Sequence, residues 1–281
     1  MTEQESSRAI VLGGGGVTGI AWEIGVLAGL VDAGVALESD VVFGTSAGSF
    51  VGTAVASGSD LGLLYRAQQQ PAVDEPTTRA SRVLTAAWIW AFVRGRGDPE
   101  KVGAGFGAVA RRFRPQVSVG DRRRTVEARL YTVQWPEKLR VTAIDADTGG
   151  LTIFDHTCGY PLVDVVSASG AVPGISPAVS LGGRTWIDGG MVSAANARIA
   201  DGFAKVLVLA PMPKGHGGIP SAQQDVEAMR ASAKVELITP DKQSVDAIGP
   251  NPYDPARRGP VAAAGHAQGR QAAARVADLW R

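Results

Sequence analysis

A serine with glycine two residues to either side stands at Gly44-Thr45-Ser46-Ala47-Gly48, directly after the apolar, β-branched run Val41-Val42-Phe43. Ala/Val/Gly-rich sequence follows, and strand, sharp turn and helix in that order are what a nucleophile elbow requires. Such a corner is strained, and small neighbours let the strand and helix approach closely. It aims the hydroxyl out of the sheet and sets it at a helix N-terminus, where free N–H groups and the dipole favour developing negative charge. The chemistry on offer is nucleophilic. A plain Gly/Ser loop between strand and helix has the same letters, so the rest of the chain must decide.

Two further groups bear on it. Gly13-Gly14-Gly15-Gly16-Val17-Thr18-Gly19 follows the apolar run Ala9-Ile10-Val11-Leu12. Gly14-x-Gly16-x-x-Gly19 fits a dinucleotide fingerprint, which needs an acid about 20 residues on to hold the ribose. Glu38 and Asp40 are at that distance, but both precede Val41-Val42-Phe43, whereas the ribose acid should close that strand. The second group is Asp188-Gly189-Gly190, after Arg184-Thr185-Trp186-Ile187. Alone it reads as a hairpin turn. An α/β-hydrolase triad in the order Ser-Asp-His could take His216 or His266 on chain order. Against it, only one strand precedes the strand of the elbow. His266, in an Ala-rich segment, reads as a solvated or helix-packing side chain, and His156 and His216 as loop residues.

The elements that must position these groups alternate between short apolar runs and helical stretches. A strand at Ala9–Leu12, a helix from Ile20 to about Gly34 and a strand at Val41–Phe43 make a βαβ unit with parallel strands. A helix follows over Ala47–Ser57. Between Asp60 and Arg129 only helices are expected, over Leu61–Gln70, Ser81–Val93 and Val102–Arg114, broken by Pro71, Pro76, Pro99 and Pro115; this is a helical insertion. Within it, Ala86-Ala87-Trp88-Ile89-Trp90-Ala91-Phe92-Val93 is unusually apolar and reads first as a helix buried on the sheet. The sharper reading is a wall of an acyl cleft or a surface that dips into lipid. Strands return at Leu139–Ile144 and Leu151–Phe154 around a turn, where Asp145 and Asp147 lack the rest of a calcium-loop pattern. A helix over Pro161–Ala168, a helix over Ala194–Ala200, a strand at Lys205–Leu209, a helix over Val226–Lys234 and a strand at Val235–Ile238 follow. An Ala-rich C-terminal helix, Ala256–Trp280, is expected to break near Gly259-Pro260. With no repeat and no long linker, residues 1–281 are expected to form one domain, with an insertion at about 60–129 and a helical tail at about 255–281.

Composition excludes little but directs the search. Of 281 residues 45% are hydrophobic and 20% charged, ordinary for a soluble protein of one large α/β domain. Twenty-eight basic against 27 acidic residues leave a net charge of +1, so nothing global attracts nucleic acid. Arg111-Arg112-Phe113-Arg114 and Arg122-Arg123-Arg124 are locally basic; such runs are mostly solvated helix faces and sometimes touch anionic headgroups. The single cysteine, Cys158, cannot form an internal disulfide and reads as a small buried thiol. The start, Met1 to Arg8, is not that of a signal peptide, and no apolar run reaches the ~18 residues of a membrane span. The expected compartment is the cytoplasm, with peripheral membrane contact open to the chain.

Taken together, Gly14-Gly15-Gly16-Val17-Thr18-Gly19, Gly44-Thr45-Ser46-Ala47-Gly48, Ser167-Ala168-Ser169-Gly170-Ala171-Val172-Pro173-Gly174 and Asp188-Gly189-Gly190 resemble, in order, the motifs of the patatin-like phospholipases, a family of lipid acyl hydrolases. The resemblance covers about residues 8–210. It implies a three-layer α/β/α sandwich on a mostly parallel sheet, and a Ser46-Asp188 dyad without histidine. It also implies an oxyanion hole from the N–H groups of Gly14, Gly15 and Gly16, with Gly19, Gly44, Gly48, Gly189 and Gly190 as motif glycines. No cofactor and no metal are implied, and the partner is a lipid or acyl-ester substrate. Two departures stand out: Thr18 replaces the family's usual Arg or Lys, and Ser193-Ala194 lies where Asn-Pro often follows the aspartate. The missing cation leaves open a catalytically weak lipid-binding module.

Overall fold

The computed structural model describes residues 7–71 and 77–281, so Pro76 lies outside the described residues. The chain opens with β1 (Arg8–Leu12), α1 (Gly16–Asp32), β2 (Val41–Thr45) and α2 (Ala47–Ala56). Helices α3 (Leu61–Gln68), α4 (Arg82–Gly95), α5 (Pro99–Arg112) and α6 (Val119–Arg129) occupy the stretch expected as an insertion. Then come β3 (Leu139–Asp145), β4 (Leu151–Phe154), α7 (Leu162–Ser169), β5 (Val179–Leu181), β6 (Arg184–Asp188) and a 3-10 turn at Ala197–Ala200. The chain ends with β7 (Lys205–Leu209), α8 (Ala222–Met229), β8 (Lys234–Ile238), α9 (Lys242–Ile248) and α10 (Arg258–Trp280).

Burial alternates along the central strands, and this sets the layers. Ile10, Leu12, Leu207 and Leu209 face one core with α1, α2, α7 and α10, while Ala9, Val11, Val206 and Val208 face a second with α8 and the 3-10 turn. Strands buried on both faces are the mark of a parallel sheet covered by helices. The sheet order is β5-β6-β3-β2-β1-β7-β8, with β4 also paired to β3. Strands β3, β2, β1, β7 and β8 are parallel; at one side β4 and β6 pair antiparallel with β3, and β5 pairs antiparallel with β6. The three-layer, mostly parallel α/β architecture is therefore the one expected.

One strand carries the arrangement that matters. Along one edge of β3, Val141 to Ile144 pair with β4. The opposite edge is shared: β2 pairs with Leu139 to Thr142, and β6 with Ala143 to Asp145. Thr45 sits opposite Thr142 and Asp188 opposite Ala143. Two strands distant in sequence thus run toward each other and meet end to end.

Helix α1 is buried from Thr18 to Leu30, as a helix apolar on all sides must be. It is clasped by α10 at backbone distance. A Cβ on Gly25 or Gly29 would overlap the carbonyls of Ala262 and His266, and one on Gly265 or Gly269 those of Trp22 and Val26. Glycines four apart on each helix form the contact, so the C-terminal helix is part of the core rather than a tail.

Several boundaries differ from expectation for identifiable reasons. Helix α10 is unbroken, because Pro260 lies in its first turn, where an N–H has no intrahelical acceptor. Helix α8 begins earlier than expected, at the capping box of Ser221 and Gln224. The stretch expected as helix from Ala194 shortens to the 3-10 turn, since Asn196 adopts a left-handed φ of 45°. Helix α6 was not expected: it is arginine-rich and buries only Val126. Short β5 and α9 were also missed. Cys158 is half-buried rather than buried.

Replacing Gly265 with Leu should force α10 off α1 and cost about 1–3 kcal/mol or more. A lower denaturation midpoint with an unchanged slope checks this.

Candidate active site

Ser46 is at the turn between β2 and α2 with φ 52° and ψ −114°, a left-handed backbone that costs a non-glycine residue roughly 1–3 kcal/mol. The motif glycines make the corner possible. A Cβ on Gly48 would overlap the Leu12 carbonyl, and one on Gly44 would come within 2.6 Å of Gly48 O and Ser49 Cα. The Ser46 carbonyl accepts from Ser49 Oγ (2.6 Å), and its N–H donates to Ser169 Oγ (2.9 Å).

Because β2 and β6 end beside each other on β3, Ser46 Oγ donates to Asp188 Oδ2 at 2.7 Å. The other carboxylate oxygen, Oδ1, accepts the Gly190 N–H at 2.7 Å, which fixes the plane of the group. Ser46 is 8% and Asp188 2% exposed. Burial raises the Asp188 pKa to about 6, against the opposing pull of the Ser46 and Gly190 hydrogen bonds and the positive charge of Arg122. Asp188-Gly189-Gly190 is thus not a hairpin turn. Gly189 is required by proximity, since a Cβ there would meet Thr142 O at 2.6 Å.

The segment from Ser167 to Gly174 joins the two side chains. Ser169 receives the Ser46 N–H on its hydroxyl and the Gly189 N–H on its carbonyl, and Ala171 O receives the Asp188 N–H. Asn196, not singled out in the sequence, is buried beneath them and donates from Nδ2 to Gly189 O (2.9 Å) and Thr45 Oγ1 (3.2 Å). Thr45 Oγ1 in turn bonds Thr142 Oγ1 at 2.8 Å. Buried polar groups are tolerated when connected in this way.

The glycine loop lies at the C-terminal end of β1, where the strand order reverses, and Gly14, Gly15 and Gly16 line one cavity with Ser46 and Asp188. One of the three expected donors is occupied: the Gly14 N–H donates to Ala194 O at 2.7 Å. Among the described residues the N–H groups of Gly15 and Gly16 have no such acceptor. Gly19 lies a turn into α1, where its N–H bonds Gly15 O.

A family model described as patatin-like phospholipase matches residues 10–201. The chain belongs to this family. Two solved structures are similar to it: VipD from Legionella pneumophila (TM-score 0.48, 11% identity, 95% of this chain and 66% of that one) and the type III effector ExoU (TM-score 0.44, 14% identity, 98% and 53%). The chain therefore spans less than two thirds of either. Comparison with curated proteins finds no match.

A loop outside the family match also reaches the cleft. Thr18, in place of a basic residue, donates its N–H to Pro252 O at 3.1 Å and brings its hydroxyl within 3.3 Å of the same oxygen. This docks the Asn251–Asp254 loop onto the glycine loop and brings Tyr253 to the cleft. Trp88, Phe92, Phe106, Met191 and Met212 line the cavity that holds Ser46, Asp188 and the three glycines.

The histidines take no part in the Ser46–Asp188 bond. His266 Nε2 lies 2.8 Å from Asp32 and the ring stacks on Tyr65. His216 lines the cavity against Phe92 but bonds neither Ser46 nor Asp188 among the described residues. Asp40 accepts the Arg8 N–H at the opposite end of β1 from the glycine loop, so no ribose acid stands there. No group of three His, Cys, Asp or Glu among the described residues is arranged to hold a metal.

Behind the loop lies a buried acid. Glu23, on α1, is fully buried with no hydrogen bond of good geometry to either carboxyl oxygen, and burial raises its pKa well above the usual value against the smaller pull of the Gly13 N–H. The unfolded chain therefore loses this proton at lower pH than the folded one, and stability falls as pH rises past the unfolded value. Glu23→Gln should be more stable than the parent at pH 7.5, with the gap narrowing toward pH 4. Thermal melts across that range test the sign.

Proposed function

We propose that the chain is a serine hydrolase of lipid carboxylic esters, working through Ser46 and Asp188 by way of an acyl-enzyme. The observation that carries this reading is the direct 2.7 Å hydrogen bond from a strained, buried serine to a buried carboxylate beside a glycine loop. With a pKa near 6, Asp188 is ionised at neutral pH yet a stronger base than an ordinary aspartate. Ser46 Oγ attacks the ester carbonyl as its proton passes to Asp188. The N–H groups of Gly15 and Gly16 take the oxyanion. The tetrahedral intermediate then expels the alcohol, which receives the proton from Asp188, and leaves Ser46 acylated. A water molecule, deprotonated by Asp188, repeats the attack; loss of the Ser46 oxygen, which takes the proton back, releases the acid. The apolar cavity walled by Trp88, Phe92, Phe106 and Met191 receives the acyl chain.

Ser46→Ala and Asp188→Asn should each lower ester hydrolysis by about 10³-fold or more while leaving the fold intact. His216→Ala and His266→Ala should retain most activity; loss of turnover in either, with normal folding, would favour a triad. Because the base acts as its anion, kcat/KM should fall as pH drops through about 6, by about tenfold per pH unit below it. The competing reading, a lipid-binding module with little turnover, draws on Thr18 and on the occupied Gly14 donor. Failure of a fluorophosphonate to label Ser46 would establish it.

The apolar helix α4 supports a peripheral contact with lipid. It is not buried on the sheet: Trp88 and Phe92 line the cleft, while Val83, Ile89, Trp90 and Val93 are more than half exposed. Among the described residues no helix is long and apolar enough to cross a membrane. An interfacial helix of this kind brings the cleft mouth to the bilayer. The double substitution Ile89→Ser, Trp90→Ala should weaken binding to phosphatidylcholine vesicles by about tenfold or more, with little change on a soluble short-chain ester. Vesicle sedimentation and a parallel esterase assay separate the two effects.

A further inference from the structure

The arginines of α6 divide by direction. Arg123 bonds Asp164 and Glu127, and Arg124 bonds Asp121, all at the surface. Arg122 turns inward over the cleft. Its guanidinium lies 5.9 Å from the Phe50 ring, and Nη2 donates to Gly170 O at 3.1 Å. Its Nε is buried without a partner; Asp188 acts on the guanidinium through its charge, but among the described residues no carboxylate forms an ion pair with it. Gly170 permits the approach, since a Cβ there would stand 2.6 Å from Arg122 Nη2. Desolvation lowers the Arg122 pKa to about 10, so it stays charged at neutral pH. A desolvated guanidinium with an unused donor is costly unless an anion completes it.

That anion has a place. Arg122 lines a cavity of about 140 Å³ together with Ser46, Gly16, Thr125, Arg129 and Tyr253. None of its described lining residues is acidic. Ser46 therefore stands between a cavity walled mostly by Trp88, Phe92, Phe106 and Met191, with Lys214 and His216 also on its lining, and one into which Arg122 reaches. Burial raises the Tyr253 pKa, so its phenol remains a neutral donor at this wall.

We propose that Arg122 is the anion-binding residue of the cleft and takes the phosphodiester of a phospholipid while the acyl chain lies in the apolar cavity. Guanidinium and phosphate match in charge and in donor geometry. The insertion thereby supplies the cation that Thr18 does not. The catalytic half of this assignment rests on the hydrolase reading; the binding half does not.

The test compares dihexanoylphosphatidylcholine with p-nitrophenyl hexanoate, which lacks the phosphate. Arg122→Gln should lower the ratio of kcat/KM on the first to that on the second by about 10- to 100-fold, the value of a charge-assisted hydrogen bond. Arg122→Lys should recover part of it. An unchanged ratio, whether both substrates suffer equally or neither does, overturns the proposal and leaves Arg122 a brace for Gly170. In the binding arm, Ser46→Ala protein is titrated with dihexanoylphosphatidylcholine and, separately, with inorganic phosphate. The phospholipid should bind at least about tenfold more tightly than to the protein that also carries Arg122→Gln. Equal binding to both proteins refutes the subsite even if hydrolysis is robust. Arg122-dependent binding of inorganic phosphate alone, without the phospholipid, refutes a headgroup role. Arg122-dependent phospholipid binding in a protein that hydrolyses neither ester supports the subsite and removes the hydrolase reading instead.

Discussion

The hydrogen bond from Ser46 to Asp188 joins residues 142 positions apart, and the strand that brings them together contains neither. On β3, Thr142 is the last partner of β2 and Ala143 is opposite Asp188. A slip of one residue in either ladder would turn the side chains to the other face of the sheet and part the two groups. Register therefore sets the contact between them. The bonds from Thr45 to Thr142 and from Asn196 to both Thr45 and Gly189 lie across this junction and resist such a slip.

The junction also holds unfavourable features in place. Ser46 is strained, Asp188 is deprived of water, and Glu23 is buried behind the glycine loop without a hydrogen bond of good geometry. Each is destabilising alone, and each persists because the surrounding backbone is fixed by contacts that leave no room to relax. The glycines of α1 and α10 are part of that frame: carbonyls of one helix occupy the space where side chains of the other would be. Rigidity at the far side of α1 thus bears on the glycine loop at its N-terminus, which lines the cavity with Ser46 and Asp188.

Much of this frame was legible in the residues. The apolar runs at Ala9–Leu12, Val41–Phe43, Leu139–Ile144 and Lys205–Leu209 are strands within a residue or two, since strands buried on both faces leave a continuous apolar signature. Ser46 stood out because a sharp strand-to-helix turn admits few residue types; Asp188, whose motif alone reads as a hairpin turn, was singled out only by the resemblance of the motifs taken together. What escaped the sequence was of two kinds. Helix α6 has no apolar periodicity: it is anchored by Val126 and by one arginine that points inward, and three arginines in a row do not reveal which one does. The state of Gly14 was equally hidden, because its N–H is claimed by Ala194, some 180 residues later, and no local pattern announces a long-range acceptor. Asn196 belongs to the same class, its left-handed turn having been read as helix.

The cleft is divided accordingly. Ser46 and Asp188 come from strand ends and the turns after them, where geometry is set by ladder register and varies little with side-chain identity. The walls come from α4, α6 and the loop at Asn251–Asp254, elements outside the sheet and, for that loop, beyond the family match. Thr18 links the two parts. A long basic side chain on α1 at this position would compete for the space above the loop; a threonine instead offers an N–H and a hydroxyl, both close to Pro252 O, and so seats Tyr253 against Gly16. In the proposed reading the positive charge comes from α6 rather than α1, which leaves Ser46 and Asp188 where the strands set them while changing which end of a bound ester would meet a cation. Substrate preference in such a fold can shift by exchange of its walls, with the register of β3 left untouched.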